Sequence, residues 1–143
     1  MATTAQTTAE TTAAQGSGSR TFLRVSIALQ TLTLFFQAST AGLLLTSSTG
    51  ELLHSVGARV TYGATMLYVL AAVLAWKPGG GSPRPILYST GFLVLSSIQV
   101  VLGIAHKPAL HLPLGVLMFG LSVLALAQIL TAQWKERSGT GRR

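Results

Sequence analysis

Apolar residues fall in four long blocks separated by short polar breaks. Val25–Thr46 is uncharged over 22 residues, and Pro85–Ala105 is uncharged over 21. Leu52–Trp76 is interrupted by His54 and Arg59, and Ala109–Trp134 by His111. A helix needs about 20 mainly apolar residues to cross a bilayer, and a helix satisfies its own backbone hydrogen bonds where lipid cannot. The pattern therefore predicts four spans, near residues 22–46, 52–76, 85–105 and 109–134. Trp76 and Trp134 each close a block, as aromatics do at a membrane interface. The connections, near 47–51, 77–84 and 106–108, are too short for anything but antiparallel neighbours. The expected fold is all-α, an integral membrane four-helix up-down bundle over residues 21–135.

The flanks differ in kind. Residues 1–20, MATTAQTTAETTAAQGSGSR, offer almost no bulky apolar side chains to offset the entropy of ordering, so a disordered cytoplasmic tail is expected there. The basic residues follow this segment instead of leading it, unlike a secretory signal. Residues 136–143 form a basic tail. Arg20, Arg24, Lys77, Arg84, Lys135, Arg137, Arg142 and Arg143 all flank one side of the expected spans, against Lys107 and Arg59 on the other. The positive-inside rule then predicts a multi-pass protein of the cell membrane with both termini cytoplasmic.

Within the spans the polar residues recur at helical spacing. Ser26, Gln30, Thr33, Gln37 and Thr40 make one stripe on the first helix. His54, Gly57 or Ala58, Thr61, Thr65 and Tyr68 share a face of the second. Ser89, Ser96, Gln99, Gly103 and His106 share one on the third, and His111, Gly115, Met118 and Ser122 one on the fourth. Such faces point into a bundle, where small residues and interhelical hydrogen bonds pack helices together. Gln30, Gln37 and Gln99 are interior polar residues; the two on one stripe, Gln30 and Gln37, exceed what packing requires unless they bond to facing helices.

The stripes carry a weak two-fold internal repeat. Gln37, Gly42, Leu53-His54 and Gly57 in the first half answer to Gln99, Gly103, Leu110-His111 and Gly115 in the second. Both histidines fall in the first turn of a helix running the same way, so they sit at similar depth and oppose each other if both face inward. Two opposed histidines in an apolar bundle suit axial ligation of a haem iron, with the nearby glycines and Ala58 leaving room for the macrocycle. Glu51 has a second role open to it, because Ser48-Thr49-Gly50-Glu51 fits a capping box with Ser48 as N-cap. His106 reads as a loop bystander, or as part of an outer-face metal set with Glu51 and His111. Arg59 lies about 140° around the helix from His54; snorkelling, pairing with Glu51 and contact with a haem propionate are open to it, and its place off the histidine face favours snorkelling or an edge contact. Pro113 is tolerated in a first turn and kinks the helix if deeper.

Glu51-x-x-His54, Gln99 before Gly103, and Leu110-His111 together resemble one four-helix half of the haem A synthase family, over roughly residues 25–130. That family has eight spans in two halves, each with a histidine pair at its outer side. The resemblance implies haem b held by His54 and His111, Glu51 as the carboxylate of the chemistry, and electron transfer or haem modification as the activity. The family commonly has Arg after the second-helix histidine where this chain has Ser55. A homodimer or a partner in a larger membrane complex would supply the other half. The chain also resembles small four-span bacterial membrane proteins, which imply no activity.

Composition narrows the alternatives. Hydrophobic residues make up 49% and charged residues 9%, with a net charge of +7 and no Cys. Disulfides, thiolate metal sites and Cys nucleophiles are excluded. No Asp is present, so no Ser/His/Asp arrangement exists. The basic residues cluster at span ends without interleaved aromatics, which points to membrane lipid and not to nucleic acid. Two other readings remain beside haem binding: a non-catalytic membrane subunit or scaffold, and an outer-face metal or ligand sensor.

Overall fold

Short connections send each helix back along its predecessor. The computed structural model describes the backbone of residues 2–44 and 46–140, and the side chains of residues 14–44, 46–132, 134 and 138. Its four helices are α1 (Ala2–Leu44), α2 (Ser48–Trp76), α3 (Arg84–Ile104) and α4 (Pro108–Thr140). All four contain a stretch long and apolar enough to cross a membrane: Ala14–Leu44, Ser48–Trp76, Arg84–Ile104 and Pro108–Ala132. Each helix packs on two others, in the ring α1–α2–α3–α4–α1, while the diagonal pairs α1/α3 and α2/α4 have no close backbone approach. The expected all-α four-helix bundle is therefore the observed one, and its apolar helices make a multi-pass membrane protein.

The outer surface is what lipid requires. Leu32, Phe35, Val60, Leu70, Leu87, Val94, Val101, Val116 and Leu124 are each more than half exposed. So extensive an apolar surface would not persist in water. The interior divides along its length. Leu23, Ile27, Tyr68, Ala71, Ala72, Ala75 and Phe92 form an apolar core toward the end that carries the chain termini. Toward the opposite end, which carries the α1–α2 and α3–α4 turns, the inward positions are Gln37, Thr40, His54, Gln99 and His111. Hydroxyl pairs hold neighbouring helices together: Thr31 to Ser122 at 2.7 Å, Tyr62 to Ser97 at 3.1 Å and Thr65 to Ser96 at 3.4 Å.

Two expectations about the first helix and its turn are corrected. Residues 2–20 continue α1, where a disordered tail was expected. The segment is rich in Ala, contains no Pro, and its Ser19, Arg20 and Thr21 side chains donate back to the carbonyls of Gln15, Gly16 and Ser17, so nothing in it terminates the helix. The basic tail also begins as helix, with α4 reaching Thr140; Arg142 and Arg143 lie outside the described residues. The cap of α2 is Ser47, not Ser48, and its hydroxyl accepts from the Gly50 amide at 3.2 Å. Glu51 therefore lies one position past N3 and closes no capping box.

Glycine chemistry shapes the remaining turns. A side chain at Gly50 would collide with the backbone of Leu43 and Leu44, so the α1–α2 turn closes only because Gly50 has none. After Trp76, the amides of Gly79, Gly80 and Gly81 donate to the carbonyls of Leu74, Trp76 and Ala75. These carbonyls end α2 and have no partner within it. Gly80 takes a left-handed φ of 70° to make the turn. His106 does the same at the end of α3, with φ 51°. Its amide donates to Gly103 and the Lys107 amide to Leu102, which is a Schellman closure. Pro113 is the sixth residue of α4, past the first turn, and lies within the helix.

Two substitutions test these turns by thermal unfolding in detergent. Gly50→Ala destabilises the bundle by about 1–3 kcal/mol, the range for forcing volume into a packed site. His106→Gly stabilises it by about 1 kcal/mol, because the left-handed conformation strains a residue with a Cβ and not glycine. No loss in the first, or a loss in the second, contradicts the geometry described.

Candidate functional site

His54 enters the interior from the second turn of α2 and His111 from the first turn of α4. These helices are diagonal neighbours, and their backbones stay apart. The two imidazoles reach across the gap, with ring centroids 6.1 Å apart and planes inclined by 65°. Both are partly shielded, not fully buried. The opposition expected from the matched first-turn positions is thus what the bundle produces. It does so because α2 and α4 run in the same direction and begin at the same end.

Hydrogen bonds fix which nitrogen of each ring is engaged. His111 Nδ1 lies 3.1 Å from the Gln99 backbone carbonyl. A carbonyl only accepts, so Nδ1 carries the proton and donates. His54 Nδ1 lies 3.1 Å from Thr40 Oγ1. The Thr40 hydroxyl has one proton, and both the Gln37 carbonyl and Gln37 Oε1 lie 3.2 Å away to accept it. That leaves Thr40 Oγ1 as acceptor for His54 Nδ1–H, and the Gln37 backbone carbonyl faces the same ring as a further acceptor. In the neutral rings both Nε2 atoms then hold lone pairs and have no hydrogen bond among the described residues. A ring nitrogen held by a protein acceptor, with its other nitrogen free, is the usual arrangement of a metal-ligating histidine.

The glutamines occupy matching places in the two halves. Gln37 Oε1 lies 3.0 Å from where a Cβ on Gly57 would stand, and Gln99 Nε2 lies 2.9 Å from the same point on Gly115. Each histidine is therefore followed, three or four residues later, by a glycine that accommodates the other helix's glutamine. Gly103 lies beside His111, whose Cε1 is 3.4 Å from its would-be Cβ. Gln99 Oε1 is buried without a partner.

Other candidates separate from the pair. Glu51 is exposed, one turn from His54 toward the turn end, and makes no hydrogen bond or ion pair among the described residues. Arg59 is exposed and does not pair with Glu51. His106 is exposed at the α3–α4 turn. No group of three or more His, Asp or Glu among the described residues is placed to hold a metal ion. The alternative metal set of Glu51, His106 and His111 is not assembled, because the Schellman turn leaves His106 outside the bundle while His111 points inward. Thr40 was visible as a stripe residue but not as the His54 partner; its position one turn before the α1–α2 connection, with His54 one turn after it, was the available signal.

No protein-family model, curated protein or solved structure matches this chain. The similarity to half of a haem A synthase thus stands on its short motifs alone.

The tautomers can be checked by nitrogen-15 spectroscopy of the histidine rings in detergent without added cofactor. Both His54 and His111 are expected to show a protonated Nδ1 and a bare Nε2. Thr40→Val removes the His54 acceptor and is expected to alter the His54 signals while leaving His111 unchanged. Equal change at both rings contradicts the separate partners assigned.

Proposed function

We propose that this membrane protein binds one b-type haem between His54 and His111 and serves electron transfer or haem modification. The observation that carries this is the opposed pair with both Nε2 atoms free. Two imidazoles bound to one metal at roughly 2 Å each place their ring centroids about 6 Å apart, and the observed separation is 6.1 Å.

The surroundings fit the group in chemistry. Neither hydrogen-bonded Nδ1 has to be broken from its partner for Nε2 to ligate. The diagonal helices α2 and α4, between which a macrocycle would have to lie, make no close backbone approach. The ends of Gln37 and Gln99, which lie against Gly57 and Gly115, would have to move for it. Bound haem supplies one-electron chemistry at a potential set by its axial ligands and burial. Thr40 and the Gln99 carbonyl hold the rings in orientation. Glu51, one turn beyond His54, is the carboxylate nearest in sequence to the pair and stands at the rim. The distribution of Lys and Arg favours the histidine end outside and both termini in the cytoplasm. The resembled family has twice as many spans, which favours a homodimer or a membrane partner.

The test is an absorbance titration of the purified protein with haem b in mild detergent. A Soret band that survives washing is expected, lost in His54→Ala and in His111→Ala, and retained in Glu51→Gln. A folded protein that stays colourless rules the reading out and leaves a scaffold whose hydroxyl pairs serve helix packing.

A further inference from the structure

Below the histidines the interior holds polar atoms that nothing among the described residues satisfies. Gln30 is 1% exposed, yet both its Nε2 and its Oε1 lack a hydrogen-bond partner. Thr61 is 7% exposed, and its hydroxyl is also unpartnered. The contrast with their neighbours is sharp. Ser26, Thr33, Thr40, Thr65 and Ser89, all buried, each donate to a carbonyl of their own helix.

Register brings the two together. Gln37 on α1 lies against His54 on α2 through its backbone carbonyl. Gln30 is seven residues deeper on α1, and Thr61 is seven residues deeper on α2. The helices are antiparallel, and seven residues are nearly two turns, so both step about 10 Å down the same facing stripes. Gln30 and Thr61 thus stand at about the same depth on facing stripes, with no hydrogen bond between them. A buried amide with neither end paired is costly in a bilayer, where lipid offers no partner. The three atoms together ask for a molecule that both accepts from an amide N–H and donates to an amide oxygen or a hydroxyl.

We propose that Gln30 and Thr61 hold an internal water site about two turns below the histidine pair. Water matches the mixed donor and acceptor set, and buried waters typically make two to four such bonds. It is small enough to lie between stripes of Thr and Ala. The site is independent of the haem reading, since neither residue is a hydrogen-bond partner of either histidine.

The test uses the full chain in detergent, without haem. Nuclear Overhauser or exchange spectroscopy with nitrogen-15 glutamine labelling is expected to show a cross-peak between water and the Gln30 side-chain amide, absent in Gln30→Met. Melting temperature supplies a second readout through the near-isosteric Gln30→Met and Thr61→Val. A water-held site predicts that each substitution lowers the melting temperature, and that the double substitution lowers it by less than the two single shifts combined, because they share the water. A dry site predicts the opposite: no cross-peak, and a rise in melting temperature when an unpaired polar group is replaced by an apolar one. Failure to fold in either variant leaves the cross-peak in the unsubstituted protein to decide.

Discussion

Lipid forms no hydrogen bonds, and that constraint orders the bundle from its sequence to its interior. Every polar group inside the spans must find a partner within the protein. The backbone does so as four helices. Most hydroxyls do so by donating to a carbonyl of their own helix or by pairing with a hydroxyl on the next one, as Thr31 does with Ile27 and Ser122. Among the described residues, the buried side-chain atoms left after this satisfaction are the Gln99 oxygen, both ends of the Gln30 amide and the Thr61 hydroxyl. All lie along the polar stripes of the facing helices.

The architecture concentrates these groups. Apolar packing of Tyr68, Phe92, Ile27 and the alanines of α2 closes the terminal half of the bundle. The half toward the turns cannot pack in that way, because Gly57, Gly103 and Gly115 contribute no side chain and the diagonal helices stay apart. Into that half project the histidines and glutamines. With the apolar base below, the polar upper half holds the two ring centroids, from diagonal helices, 6.1 Å apart.

Much of this could be read from the residues, for identifiable reasons. The spans were legible because a bilayer demands long uncharged runs, and the stripe Ser26, Gln30, Thr33, Gln37 and Thr40 was legible because its period matches the helix; four of these five are buried and Gln37 is half-buried. The histidine pair was legible from matched positions after two short connections. Other features depended on approach distances that composition does not encode. Ser47 and Ser48 are equivalent as caps until Gly50 is seen pressed against Leu43. His106 shared a helical face with Gln99 on paper, but α3 ends before it and its left-handed backbone turns it away. The segment before Arg20 lacks apolar side chains for a core, yet it continues α1 because no residue in it breaks the helix.

The central claim is that His54 and His111 ligate one iron from diagonal helices of a single chain. Electron paramagnetic resonance of the oxidised, haem-loaded protein tests it most directly, combined with a haem-to-protein ratio. A low-spin ferric signal of two imidazole ligands at one haem per chain is the predicted result. A high-spin signal, or one haem shared between two chains, contradicts it.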